Sequence, residues 1–138
     1  MAIKFFSENS FKLKKKRDTS TWIKQVIQFH QKSPGEISFI FCTDDQLLEI
    51  NQTYLKHFYY TDVITFNYND GIVISGDIYI STDRIVENAK NYKVSFENEL
   101  YRVMVHGILH LLGFEDKDLL AREKMHELEN FHLIKIGF

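Results

Sequence analysis

Apolar and polar positions along the chain repeat with two periods, near two and near 3.6 residues. The switches between them mark out the elements. Residues 2–6 (AIKFF) predict a short strand. Trp22, Ile23, Val26, Ile27 and Phe29 then recur at helical spacing, and Thr19, Ser20 or Thr21 can cap a helix that runs to about His30. Ser33-Pro34-Gly35 reads as a turn. Residues 36–42 (EISFIFC), rich in β-branched and aromatic side chains, read as a buried strand. Thr43 or Asp44 caps the next helix, whose apolar side carries Leu47, Leu48, Ile50 and Leu55. Residues 62–68 (DVITFNY) and 72–80 (IVISGDIYI) predict two strands joined at Asn69-Asp70-Gly71, a hairpin turn because these residues tolerate positive φ. Ser81 or Thr82 opens a helix to about Tyr92, a long helix covers about 96–112, Gly113 ends it, and a last helix covers about 117–132. The order β-α-β-α-β-β-α-α-α predicts an α+β fold, a small mixed sheet of about four strands with helices packed on it.

Composition adds bounds. The 138 residues suit one domain, 1–138, with no linker or repeat. A chain of this size buries roughly 70% of its unfolded surface, enough for a core without staples. The net charge of −2 argues against a protein that coats nucleic acid through a broad basic surface, and DNA is not an expected partner. An enzyme that grips RNA in one local cleft stays open. The single cysteine, Cys42, excludes an internal disulfide, fits a reducing compartment and reads as a small buried hydrophobe. No signal segment or long apolar run occurs, so the expectation is a soluble cytoplasmic protein without a membrane partner.

The chemistry concentrates in Val105–Lys117, VHGILHLLGFEDK. His106 and His110 are one turn apart, so both imidazoles project from one helix face and can bind one ion, as in the H-x-x-x-H zincins. Gly113 can take the left-handed conformation that stops a helix and reverses the chain. That reversal can bring Asp116 to the same ion. Two imidazoles and a carboxylate leave one position open, the layout of a catalytic site. The alternative is a pair of structural histidines, which on so apolar a helix would need hydrogen-bond partners of their own. Glu99, seven residues before His106, shares its helix face. It reads as an acceptor that orients an imidazole, or as a surface acid. Asp62 and Asp77 bound the two central strands and read either as cleft residues or as strand-end caps. The run Lys12, Lys14, Lys15, Lys16 and Arg17 can meet RNA phosphates or form a solvated loop. Phe58, Tyr59, Tyr60, Phe66 and Tyr68 can stack bases, although alternate ones must face the core. Met125 reads as core. His30, His57, His126 and His132 lack ligand spacing to one another and receive no role.

The segment resembles the motif of the YbeY family, bacterial metal-dependent endoribonucleases of rRNA maturation, His-Gly-x-Leu-His-Leu-x-Gly-Tyr-Asp-His. It matches at His106, Gly107, Leu109, His110, Leu111 and Gly113, with Phe114 for the tyrosine. Thr61-Asp62-Val63-Ile64-Thr65-Phe66 resembles the family's Thr-Asp-Val-Leu-Ser-Phe strand, and Gly76-Asp77-Ile78 its Gly-Asp-Ile strand. Ile50-Asn51, Glu99, Met125 and Glu129 stand at the family's spacings. The resemblance implies a single-strand-specific endoribonuclease of rRNA maturation, acting at the 3′ end of small-subunit rRNA and in ribosome quality control. Its partners would be rRNA, the small ribosomal subunit and associated assembly factors. Zinc is the implied ion, on His106, His110 and Asp116. Two departures stand out. Asp116 replaces a third histidine and, as a harder ligand, admits another divalent metal. Leu55 stands where many members carry an arginine, with Lys56 beside it as a further RNA-contact candidate. The rival readings are an assembly factor with a mainly structural metal, and a metallohydrolase acting on another substrate.

Overall fold

The computed structural model describes residues 2–138. Its elements run β1 (Ile3–Ser7), α1 (Lys16–Phe29), β2 (Ser33–Cys42), α2 (Asp44–Leu55), β3 (Val63–Asn67), β4 (Val73–Ser81), α3 (Thr82–Tyr92), α4 (Phe96–Leu111) and α5 (Leu119–Ile134), the predicted α+β order. The strands form an open sheet in the order β1-β2-β4-β3. β2 pairs in parallel with β1 and β4, and β3 runs antiparallel to β4.

Strand alternation divides the core. Ile74, Ile78 and Ile80 of β4 join Ile37, Phe39 and Phe41 of β2 on the face that packs against α1 and α4. The opposite face carries a smaller cluster of Cys42, Leu47 and Ile64, with α2 over it. Two glycines let α4 lie close to the sheet. A Cβ on Gly107 would stand 2.9 Å from Cγ2 of Ile78, and one on Gly76 would stand 2.5 Å from the Phe66 carbonyl oxygen and 3.0 Å from the Leu111 methyls.

Three boundaries differ from the sequence reading. α1 begins at Lys16 rather than at Thr19–Thr21. Lys15 takes a left-handed φ of 56° at the N-cap without a side-chain cap, while Thr19 is buried one turn inside and donates to the Lys15 carbonyl. Ser33-Pro34-Gly35 is the start of β2, not a turn. The reversal lies just before it, where Gln31 has φ 63° and the Lys32 N–H reaches the Ile27 carbonyl. In the hairpin, Asp70 and Val73 exchange both backbone hydrogen bonds, so the tight turn is Gly71-Ile72, with Gly71 at φ 59°. Among the described residues, no helix is long and apolar enough to cross a membrane.

Candidate metal centre

α4 starts at Ser95, whose hydroxyl accepts the Asn98 N–H, and ends in a Schellman turn. The Leu109 carbonyl accepts from Phe114 N–H at 3.0 Å and the His110 carbonyl from Gly113 N–H at 3.0 Å, with Gly113 at φ 100°. Asn69, from the hairpin, donates to the Leu111 carbonyl at 2.7 Å and so satisfies another helix-end acceptor. The chain therefore doubles back and sets Asp116 beside the two histidines.

The three expected ligand residues converge. Nε2 of His106 and Nε2 of His110 are 3.0 Å apart, and Oδ2 of Asp116 is 3.4 Å from the first and 3.5 Å from the second. Ligands about 2.0–2.1 Å from a tetrahedral ion stand about 3.3–3.4 Å from one another; the two separations to Asp116 fit such a tetrahedron, and the imidazole pair at 3.0 Å is slightly closer. Two nitrogens and a carboxylate oxygen are also the right donor types. The group could hold a metal ion, and each of its side chains keeps partial access to solvent.

The orientation of His106 comes from α5. Oε2 of Glu129 lies 2.6 Å from Nδ1 of His106, and Glu129 is 5% exposed. Nδ1–H donates to the carboxylate, which leaves the Nε2 lone pair facing the ligand group. Burial acts to lower the His106 pKa, but the Glu129 hydrogen bond and charge, with Asp62 and Asp116, outweigh it and raise it. Arg102 holds Glu129 in turn, donating to Oε1 at 3.0 Å and to Asn130 Oδ1 at 2.7 Å. His110 shifts the other way, lowered by burial and by the neighbouring His106.

A second acidic group adjoins His106. Asp62 and Glu99 line one cleft of about 510 Å³ with His106 and Glu129. Asn88 Nδ2 lies 3.3 Å from Asp62 Oδ2 and 3.5 Å from Glu99 Oε2. Burial, then the Asp62 charge, pushes the Glu99 carboxyl up to about 7, and burial likewise raises Asp62. Glu99 is thus neither a surface acid nor, among its hydrogen bonds, the acceptor of an imidazole: Glu129 holds that place. Asp62 also borders a cleft of about 420 Å³ lined by His106, His110 and Asp116.

A family model described as Endoribonuclease YbeY matches residues 4–137. The chain belongs to the YbeY endoribonuclease family. A protein of Bacteroides thetaiotaomicron named Endoribonuclease YbeY is 51% identical over 116 residues, 84% of this chain and 85% of that one. One of Christiangramia forsetii with the same name is 46% identical over 136 residues, 95% of each chain. A solution structure from Thermotoga maritima superposes with TM-score 0.67 at 27% identity, covering 96% of this chain and 87% of that one.

In this YbeY-family chain Asp77 and the Lys12–Arg17 run lie away from the ligand group, whereas Lys56 flanks its cleft. Asp77 shares its strand parity with Tyr79, on the α2 face of the sheet, and accepts from the Tyr68 hydroxyl at 3.2 Å. An aspartate one residue out of phase with Ile74, Ile78 and Ile80 cannot face α4. Lys12 and Lys14 border the start of α4 beside Phe96 and Tyr101, while Lys16 and Arg17 border β1. β1 is the sheet edge opposite β3, and Leu100 is about 15 Å along the helix from His110. Lys15 is the strained N-cap of α1. Lys56 ends α2 in a left-handed conformation, φ 58°, between the cleft-lining Leu55 and His57. Cys42 and Met125 are buried, as read. The roles of Asn88 and Arg102 had no local signal. Each acts across many residues of sequence, through a partner on another element.

Proposed function

We propose that this chain is a metal-dependent endoribonuclease specific for single-stranded RNA, a single cytoplasmic domain acting in rRNA maturation. Its substrate would be the 3′ end of small-subunit rRNA, with a part in ribosome quality control alongside assembly factors of the small subunit. The observation that carries the reading is the near-tetrahedral spacing of His106, His110 and Asp116 beside a carboxylate-held imidazole, in a chain of this family.

These three residues would hold zinc, and Asp116 makes manganese or magnesium acceptable alternatives. When bound, such an ion supplies Lewis-acid polarisation of a phosphoryl oxygen or acidification of a water. The chain's own groups do the rest. Glu129 fixes the His106 tautomer, so that Nε2 is a lone-pair donor. Glu99, with a carboxyl at about 7, can hold or release a proton at neutral pH beside the cleft. Gly107 stands where zincin proteases carry their glutamate base and has no side chain, which disfavours peptide hydrolysis.

His110→Ala tests the reading. It should lose bound metal and RNA cleavage together while the fold survives. A metal-free His110→Ala protein that cleaves RNA at the full rate overturns it. If chelator alone melts the fold, the structural-metal reading takes its place.

A further inference from the structure

We infer that His57, oriented by Tyr59 and anchored by Asn51, is the group of the metal cleft that binds a phosphate of the RNA strand. The inference rests on the endoribonuclease reading. An RNA strand brings a negative charge with every nucleotide, and proteins hold phosphates with N–H and O–H donors. The cleft of about 420 Å³ contains the three proposed metal ligands, yet among the described residues no lysine or arginine lines it. Its carboxylates are Asp62 and Asp116, both repulsive to phosphate. Leu55 contributes only an apolar side chain. Of the nitrogen donors that line the cleft, His106 and His110 are committed to the ligand group and Asn51 to a backbone carbonyl. Of these nitrogen donors His57 is the one left over, and the Thr61 and Thr65 hydroxyls line the cleft beside it.

The loop that carries His57 is built to hold it. Asn51 is 1% exposed, the end of a buried polar tether. Its carbonyl accepts the His57 N–H at 3.1 Å, and its side-chain amide donates to the Tyr59 carbonyl at 3.0 Å. The backbone is thereby clamped on both sides of Phe58, which stands 74% exposed. Tyr59 stacks on His57, ring centroids 5.2 Å apart and planes 19° from parallel, and its hydroxyl lies 3.0 Å from Nδ1. With the phenol donating to Nδ1, the ring proton of neutral His57 sits on Nε2. A charged ring carries a proton there as well. In these two forms Nε2–H is a donor left free of Tyr59, and a phosphate oxygen at Nε2 selects them over the neutral tautomer in which Nδ1–H donates to the phenol. Ordering two exposed rings in this way costs side-chain entropy with no core packing to offset it. A ligand in the cleft would supply the missing return.

The test uses the full chain in two measurements with one single-stranded RNA oligonucleotide. Cleavage kinetics are taken with zinc or manganese, and the dissociation constant by fluorescence anisotropy in excess chelator. Loss of one hydrogen bond to a charged oxygen should raise Kd and KM about tenfold in His57→Ala, with kcat changed less than about twofold. Lysine, a competent phosphate binder, should bring His57→Lys back to within about threefold of wild type. Tyr59→Phe should weaken binding about threefold with Tm unchanged. His57→Ala that binds and cleaves like an active wild type overturns the inference alone and leaves a surface pair without a ligand. Equal losses in His57→Ala and His57→Lys with a lowered Tm overturn it too, because the role is then structural. A wild-type chain that neither binds nor cleaves the oligonucleotide refutes the endoribonuclease reading itself, and this inference with it.

Discussion

Glu129→Gln removes one charge and changes almost no volume, yet it should disable the ligand group. Glu129 uses its two oxygens on two different donors, Oε2 for His106 Nδ1 and Oε1 for Arg102. Glutamine has one carbonyl oxygen. If that oxygen faces His106, the amide NH₂ meets the Arg102 guanidinium, donor against donor. If it faces Arg102, the NH₂ donates to Nδ1, the ring proton moves to Nε2, and the lone pair that should face the ion is gone. Disturbing such a partner weakens metal binding by about 10–100-fold, or about 1.4–2.7 kcal/mol. With metal at about 100 times the wild-type Kd, binding stabilises the wild-type fold by about 2.7 kcal/mol. A tenfold weaker site keeps about 1.4 kcal/mol of that. The missing 1.3 kcal/mol or so corresponds to a metal-dependent rise in Tm that is smaller by about 3–5 °C in a chain of this size. The assay is a thermal melt with metal and with chelator, beside a competition titration against a chromophoric chelator. Taking the difference between the two melts cancels whatever the substitution does to the metal-free fold. A Glu129→Gln protein with wild-type metal affinity and an undiminished rise in Tm would refute the claim that this carboxylate sets the His106 tautomer.

Gly113→Ala should cost about 1–2 kcal/mol in a urea melt and weaken metal binding. The new Cβ meets nothing within 4 Å, so the whole penalty is backbone strain at φ +100°, and relief of that strain moves Asp116. A variant as stable as wild type counts against the turn as drawn. A separate prediction concerns pH. His132 is 1% exposed, faces His30 and Lys135, and is lowered from 6.5 to about 4, by burial first. The unfolded chain therefore binds this proton at higher pH than the folded chain does. The stability present at pH 7 should fall as pH drops from about 6.5 to about 4, by up to about 3 kcal/mol. His132→Gln should flatten this slope in urea melts at pH 7 and pH 5, and equal slopes would remove His132 as its source.

Local physics made the ligand group legible. One helical turn separates His106 from His110, and a glycine one turn later forces the reversal, so the geometry is fixed by residues close in sequence. What depended on distant partners was not legible. Glu129 reaches His106 across 23 residues, and only the folded α4–α5 packing makes the pair. Glu99 carried no sign that Asn88 and Asp62 would enclose it. Asp77 is a different case, because its position was available from alternation: Ile74, Ile78 and Ile80 claim the α4 face, so the residue between them must leave it. The start of α1 failed for want of a signal, since a lysine in a left-handed N-cap has no compositional mark. Ser33-Pro34-Gly35 misled because proline and glycine serve equally at an irregular strand start, where the β2–β4 register shifts between Pro34 and Ile37.

Packing also narrows the chemistry. Gly107 follows the first histidine of the candidate ligand group, and its Cα faces Ile78 and Thr65 rather than solvent. Even a methyl there would press to 2.9 Å on Ile78, a side chain with no exposure and so no room to yield. A glutamate at that position would have to lift α4 from the sheet, and with it the helix end that Asn69 of the hairpin caps. The close approach that aligns the histidines therefore excludes the protease arrangement of a base on the same helix turn. On the proposed reading a proton-transfer group would come from the cleft walls instead. Of the carboxyls found there, Glu99 is the one that burial and Asp62 bring close to neutral pH without occupying it in the ligand group.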